Sequence, residues 1–217
     1  MLTEILQTLS ATGTTLVAVS KTHPPERIME LYRQGQRIFG ENRVQEMLEK
    51  QAALPNDIEW HLIGHLQTNK VKYIAPFVRM IQSVDSLRLL LEIDKQAAKN
   101  ERVIDCLLQF HIAEEETKFG LDESEARELL SDPAFTQMKH VRICGVMGMA
   151  TFTDDRDAVR REFRHLHSIF NHVKRDFFPN APFFKEISMG MSGDWQAAVE
   201  EGSTMVRIGS LIFGDRN

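Results

Sequence analysis

The chain has 217 residues, 42% of them hydrophobic, and its 31 acidic side chains outnumber its 26 lysines and arginines, which leaves a net charge of −5. This balance argues against the basic surface that nucleic acids or anionic membranes require. No apolar run approaches the ~18 residues of a membrane span. We therefore expect neither nucleic acid nor membrane as a partner.

The amino-terminal segment and the cysteines both indicate the cellular compartment in which the protein works. The first 20 residues contain no lysine or arginine, so a secretory signal peptide would lack its basic region. Cys106 and Cys144 lie in apolar runs without Cys-x-x-Cys spacing, as is typical of buried thiols in a reducing environment. These features predict a cytoplasmic protein.

Short apolar runs alternate with polar-periodic segments along the whole chain. After a short helix over residues 1–12, the runs predict eight strands, at 15–20, 37–41, 59–64, 78–84, 105–112, 141–148, 184–189 and 205–210. The segments between them predict helices at 24–34, 43–53, 85–100, 122–131, 155–177 and 194–201. The strand runs are continuously apolar, which is typical of parallel strands that are buried on both faces.

Eight strand–helix units in about 200 residues reach the lower size of a closed (β/α)8 barrel. An open, doubly wound sheet is the competing architecture. It more often carries a Gly-x-Gly-x-x-Gly turn after its first strand, where this chain reads SKTHPP. We therefore predict an α/β protein with one (β/α)8 TIM-type barrel domain over residues 1–217.

The last two predicted strands end in segments that are rich in glycine and serine. These segments are ISMGMSGDW (187–195) and RIGSLIFG (207–214). Barrel enzymes often hold a phosphate with the loops after strands 7 and 8. Either segment alone could be an ordinary turn, but the two together favour an anion site. The candidate ligands are Ser188, Gly190, Ser192, Gly193, Gly209 and Ser210.

Lys21 follows the first predicted strand, where burial would penalise its charge. Because a closed barrel places strand 1 beside strand 8, Lys21 should approach the predicted anion site, and its parity with Val17 and Val19 predicts an inward side chain. A partly desolvated lysine beside cationic groups can form a Schiff base. A lysine that only pairs with a phosphate is the alternative. Arg207 and Gly209 are two residues apart on strand 8, so both should face the barrel interior. Arg207 would there form a salt bridge at the carboxyl end of the barrel or orient a cofactor.

Polar residues near the ends of strands 2 and 3 complete the predicted rim. Asn42 follows strand 2 within FGENRVQE, and His61 and His65 belong to WHLIGHLQTNK. A spacing of four would suit a metal site on a helix, but along a strand it separates two side chains by roughly 13 Å. We predict no metal site.

Six motifs occur in order along nearly the whole chain: AVSKTHP, FGENRVQE, WHLIGHLQTNK, GVMGMA, SMGMSGD and VRIGSLIFG. With them the chain resembles the pyridoxal phosphate homeostasis protein family, which adopts the barrel of the alanine racemase N-terminal domain. The resemblance implies that Lys21 carries pyridoxal 5′-phosphate as a Schiff base and that Arg207 faces the pyridine nitrogen. Asn42 and His61 would line the ring side. The implied phosphate ligands are Ser188, Gly190, Ser192, Gly209 and Ser210, with Met189 as a further cofactor-binding residue.

Two features depart from the related proteins. About 15 residues precede strand 1, whereas family members commonly begin with a longer helix, so we expect a shortened amino-terminal cover. The racemases add a β domain that supplies a tyrosine base on the far face of the cofactor. This chain ends at Asn217, and its two tyrosines, Tyr32 and Tyr73, lie away from the predicted strand ends.

Three functions are compatible with these residues. An arginine at the pyridine nitrogen weakens the ring as an electron sink, and the second base has no candidate. The first expectation is therefore a monomeric protein without efficient catalytic activity that buffers pyridoxal 5′-phosphate or delivers it to apo-enzymes. The alternative is a weakly active racemase- or decarboxylase-type enzyme that acts on amino acids. The third is a Schiff-base aldolase that uses Lys21 on a sugar phosphate.

Overall fold

The computed structural model describes residues 2–114 and 119–214. Eight parallel strands form a closed barrel in sequence order, so that β1 pairs with both β2 and β8. The predicted (β/α)8 barrel is confirmed. The strands are β1 (Thr15–Val19), β2 (Ile38–Glu41), β3 (Glu59–Leu62), β4 (Met80–Val84), β5 (Ile104–Phe110), β6 (Val141–Gly148), β7 (Glu186–Ser188) and β8 (Met205–Ile208).

Helices precede the first strand, fill the intervals between strands and follow the last strand. They are α1 (Leu2–Thr12), α2 (Pro25–Arg33), α3 (Val44–Ala53), α4 (Val71–Ile74), α5 (Leu87–Lys99), α6 (Glu123–Ser131), α7 (Pro133–Gln137), α8 (Arg156–Phe177), α9 (Trp195–Glu200) and α10 (Ser210–Phe213). The six helices predicted between strands are confirmed, with ends that differ by one or two residues. Sequence analysis missed α4, α7 and α10 because elements this short show no apolar periodicity.

Apolar side chains fill two layers of the barrel. Strands β4 and β5 are buried along their whole lengths, because helices cover their outer face and the barrel interior covers the inner one. The interior contains a separate apolar cluster that includes Val17, Leu107 and Met205. The continuous apolar runs of the sequence are therefore the mark of two-sided burial.

Ion pairs occupy the amino end of the barrel. Asp105, near the start of β5, is bound by Arg142 at 2.6 Å and by Arg79 at 2.8 Å, and it is almost fully buried. The carboxyl ends of the strands, with the loops that follow them, form the opposite end. We call that end the mouth.

Both cysteines lie in the buried strands, as predicted. Cys106 and Cys144 are free thiols, and burial raises the pKa of Cys144 to about 12, so this thiol stays protonated. Within the described residues, none of the helices has the length and apolar character needed to span a membrane.

Candidate functional site

Lys21 lies two residues beyond the end of β1, in a turn at the mouth. The N–H of His23 donates to the carbonyl oxygen of Ser20 at 3.1 Å, which closes the turn around Lys21. Strand β1 ends at Val19, so the turn begins one residue earlier than predicted. Lys21 is half-buried.

The segment after β8 lies directly against the strand that leads to Lys21. Val17 pairs with Arg207 across the β1–β8 contact. A Cβ atom at Gly209 would stand 3.1 Å from the carbonyl oxygen of Val19, so a side chain there would crowd β1. The closure of the barrel therefore brings the turn after β1 and the segment after β8 together at the mouth.

A chain of hydrogen bonds crosses the barrel interior from β8 to β3. Arg207 donates through Nη1 to the Ser188 hydroxyl at 2.6 Å and through Nη2 to the Gly148 carbonyl at 2.9 Å. Ser188 donates in turn to Oε1 of Gln82 at 2.6 Å, and Nε2 of Gln82 lies 2.9 Å from Nδ1 of His61. All four side chains are buried, and the bonds run in one direction, which holds each group in a fixed orientation.

The Ser188 hydroxyl, one of the predicted phosphate ligands, takes part in this interior network of hydrogen bonds. A hydroxyl has one proton to donate, and Ser188 gives it to Gln82 while it accepts from Arg207. Sequence analysis missed Gln82, although a polar residue within the apolar run VRMIQSV was a signal that could have found it.

Burial sets the charge of His61 and Arg207, the side chains at the two ends of this network of hydrogen bonds. Desolvation lowers the pKa of His61 to about 3, with a further contribution from Arg79, so the imidazole is neutral at physiological pH. Because Nδ1 accepts from Gln82, we assign the ring proton to Nε2. Burial also lowers the pKa of Arg207 to about 10, which still leaves the guanidinium charged.

The loops after β7 and β8 are joined at the mouth. The N–H of Gly209 donates to the hydroxyl of Ser192 at 3.2 Å. Ser192 therefore keeps its own proton as a donor for an anion. Ser192 is half-buried and Ser210 is exposed, so both hydroxyls are at or near the surface of the mouth.

Gly190 and Met189 serve the packing of this region. Gly190 has φ +95°, and a Cβ atom there would come within 2.5 Å of the Ala198 side chain on α9. Met189 is fully buried in the core, its N–H donates to the carbonyl of Met205, and its carbonyl accepts from Ser203. Both backbone polar groups of Met189 are therefore hydrogen-bonded within the barrel, and its cofactor-binding role stays a prediction.

Asn42 lies on the rim, in the loop after β2. It lines a cleft of about 500 Å³ between the loops that follow β2 and β3, together with Arg43, Lys70 and Tyr73. His61, by contrast, is buried inside the barrel. The structure thus places Asn42 and His61 at different depths.

The two histidines that raised the question of a metal have different neighbours. His61 bonds to Gln82, whereas His65 pairs with Asp85 at 3.3 Å and stacks on Phe119 at 4.4 Å. In residues 2–114 and 119–214, no group of three or more His, Cys, Asp or Glu side chains could hold a metal ion.

Comparison with known proteins places this barrel in a family. Residues 2–217 match the alanine racemase N-terminal domain family. The chain is 43% identical over 202 residues to the pyridoxal phosphate homeostasis protein of Aquifex aeolicus, which covers 93% of this chain and 86% of that protein. The chain belongs to the pyridoxal phosphate homeostasis protein family.

Solved structures of PipY from Synechococcus elongatus, at 36% identity, have the same fold. The structure without PLP gives a TM-score of 0.88 and covers 97% of this chain and 99% of that one. The structure with PLP bound gives a TM-score of 0.85 and covers 99% and 100%. The resemblance to the pyridoxal phosphate homeostasis protein family that the six motifs carry is therefore confirmed.

Proposed function

We propose that this protein binds pyridoxal 5′-phosphate at Lys21 and serves in its homeostasis, by buffering the cofactor or delivering it to apo-enzymes. One observation carries the proposal: the half-buried Lys21 lies at the mouth beside the loops after β7 and β8, which the hydrogen bond from Gly209 to Ser192 joins. The PLP-bound structure of PipY, at 36% identity, supports the same ligand here.

The groups at the mouth fit the chemistry of this ligand. The amine of Lys21 can condense with an aldehyde: its nitrogen forms the new double bond to the aldehyde carbon, and its two protons leave with the oxygen as water. The hydroxyls of Ser192 and Ser210 are suitable donors to a phosphate, and Gly209 lets the backbone approach it. When bound, the cofactor supplies a conjugated ring that can accept electron density.

Arg207 is proposed to face the pyridine nitrogen of the ring. Its guanidinium donates hydrogen bonds to Ser188 and Gly148. Burial lowers its pKa only to about 10, so the guanidinium stays charged at physiological pH. A fixed cation disfavours protonation of a nearby nitrogen, which weakens the ring as an electron sink. This favours a carrier over an enzyme.

Replacing Ser192 with alanine should weaken the affinity for pyridoxal 5′-phosphate about ten- to hundredfold, because a lost hydrogen bond to a charged group costs roughly 1.5–3 kcal/mol. The affinity for pyridoxal, which has no phosphate, should not change. Absorbance titrations of the apo protein with each ligand measure the ratio of the two affinities.

Ser188→Ala is the matched control, because Ser188 lies within the interior chain and not at the phosphate loops. It should lower the stability of the protein and leave the ratio of the two affinities unchanged. A Ser192→Ala protein that lost both ligands equally would place the phosphate elsewhere.

The positions of the two tyrosines also favour a carrier. Tyr32 donates its hydroxyl to Asp57 at 2.8 Å, and this hydrogen bond raises the pKa of Tyr32. Tyr73 is exposed on α4, where its ring lies near Lys70 and Lys72. Neither extends from the end of a barrel strand, so neither is a candidate for a base on the second face of the ring.

We accordingly expect the α-proton of alanine or serine to exchange with deuterium more slowly than the ~1 s⁻¹ of a typical enzyme, together with measurable release of cofactor to an apo-enzyme. Proton NMR in heavy water detects abstraction even when racemisation stalls. The Lys21→Ala protein with equal free cofactor gives the background. Exchange at ~1 s⁻¹ or faster would favour the racemase-like alternative.

A further inference from the structure

The turn that carries Lys21 has an unusual backbone. Lys21 and Thr22 are its two central residues, and Thr22 has φ +68°. A β-branched residue rarely adopts this left-handed conformation, which costs energy unless the surroundings enforce it. Contacts with neighbouring residues must therefore stabilise this turn.

Three charged residues of β2 and α3 hold it from outside the barrel. Lys50 donates through Nζ to the carbonyl oxygen of Ser20 at 2.7 Å, and also to Glu41 and Glu46 at 2.7 Å each. Glu46 accepts the backbone N–H of Thr22. We call Glu41, Glu46 and Lys50 the turn cluster.

The turn cluster thus binds the backbone on both sides of Lys21. Ser20, the residue before Lys21, accepts at its carbonyl oxygen from Lys50. Its hydroxyl donates to Glu41 at 2.6 Å. The residue after Lys21 is held at its N–H by Glu46. Lys50 and Glu46 lie one turn apart on α3, so a single helix sets both positions.

Fold stability alone does not account for this arrangement. Glu41 and Lys50 are almost completely buried, and Oε2 of Glu41 has no hydrogen-bond partner among the described residues. Burial raises the pKa of Glu41, although Lys50 and Ser20 oppose this through hydrogen bonds. Buried ion pairs of this kind add little net stability, because desolvation offsets the attraction between the charges. What these residues do supply is a fixed backbone at Lys21.

We propose that Glu46 and Lys50 are positioning residues that fix the Ser20–Thr22 backbone, so that the Lys21 amine meets the aldehyde of the bound ligand. This role rests on the proposed function. Its consequence is specific: loss of the turn cluster slows bond formation at Lys21 and leaves the noncovalent fit of the ligand intact. Misplacement of a reacting group by about 1 Å can reduce a rate about a hundredfold.

Two probes separate these effects. Pyridoxal 5′-phosphate can bond to Lys21, whereas pyridoxine 5′-phosphate has an alcohol in place of the aldehyde and can only bind. In Glu46→Ala, we expect covalent bond formation, followed by stopped-flow absorbance and borohydride trapping, to slow about 10- to 100-fold. The affinity for pyridoxine 5′-phosphate should stay within about twofold, since the anion site is intact.

Variants of the same cluster sharpen the test. Glu46→Gln keeps an oxygen for the Thr22 N–H and should restore most of the rate, whereas Lys50→Met should slow bond formation as Glu46→Ala does. Asp105→Asn, which breaks a buried ion pair at the other end of the barrel, should lower the unfolding temperature without changing the rate. If Lys50→Met does not fold, the Glu46 variants decide the matter.

The outcomes distinguish this inference from the function on which it rests. A wild-type protein that forms no bond at Lys21 would overturn both. A wild-type protein that bonds at Lys21, with Glu46→Ala equally fast or equally weakened for both probes, would overturn the positioning role alone.

Discussion

Replacing Lys21 with alanine should abolish the absorbance band of covalently bound pyridoxal 5′-phosphate and all borohydride-trapped label, while the barrel stays folded. The bond requires a primary amine, which alanine lacks. Lys21 lies in a half-buried turn outside the apolar core, so its truncation removes little packing. Absorbance, mass spectrometry after borohydride, and thermal unfolding by circular dichroism measure the three quantities.

Lys70→Ala is the matched control for this substitution. Lys70 also lies near the mouth, where it lines the cleft after β3, but it is not in the turn after β1. Its loss should leave the band and the trapped label unchanged. Peptide mapping that placed the label on Lys70 or Lys185 would contradict the assignment to Lys21. A wild-type protein without the band that reacts with a sugar phosphate would instead favour the aldolase alternative.

The folded protein should lose up to about 5 kcal/mol of stability through His61 as the pH falls from 6.5 to 3, since each pKa unit corresponds to ~1.4 kcal/mol. Burial lowers the pKa of His61 from 6.5 to about 3, so the folded state keeps this imidazole neutral where the unfolded chain protonates it. The unfolded state therefore binds more protons, and stability falls with pH. Above pH 6.5 the contribution is complete, and below about pH 3 it is lost.

His61→Asn isolates this effect from the titration of carboxylates. The Oδ1 atom of asparagine takes a place close to that of Nδ1 and can accept the hydrogen bond from Gln82. Denaturant unfolding between pH 7 and pH 4 should show a smaller loss of stability in the variant than in the wild type. Equal slopes for wild type and His61→Asn would show that folding does not lower the pKa of His61.

The amino-acid sequence by itself determined the barrel and the family. Strands that are buried on both faces are continuously apolar, so β4 and β5 are visible in the sequence without any knowledge of their neighbours. The number and order of these runs led to the closed barrel. The six motifs carried the family resemblance, and the position of Lys21 after the first run singled it out as the candidate for the bond.

Only the tertiary structure decided which polar groups meet. Ser188 and Gln82 are 106 residues apart in sequence, and Lys50 reaches the Ser20 carbonyl from 30 residues away. Sequence patterns record the burial and period of each element, but a hydrogen bond between elements also depends on strand register and helix orientation. For that reason sequence patterns alone do not predict the hydrogen bond between Ser188 and Gln82 or the turn cluster. Closure of the barrel and the packing of α3 on β2 place these side chains within bonding distance.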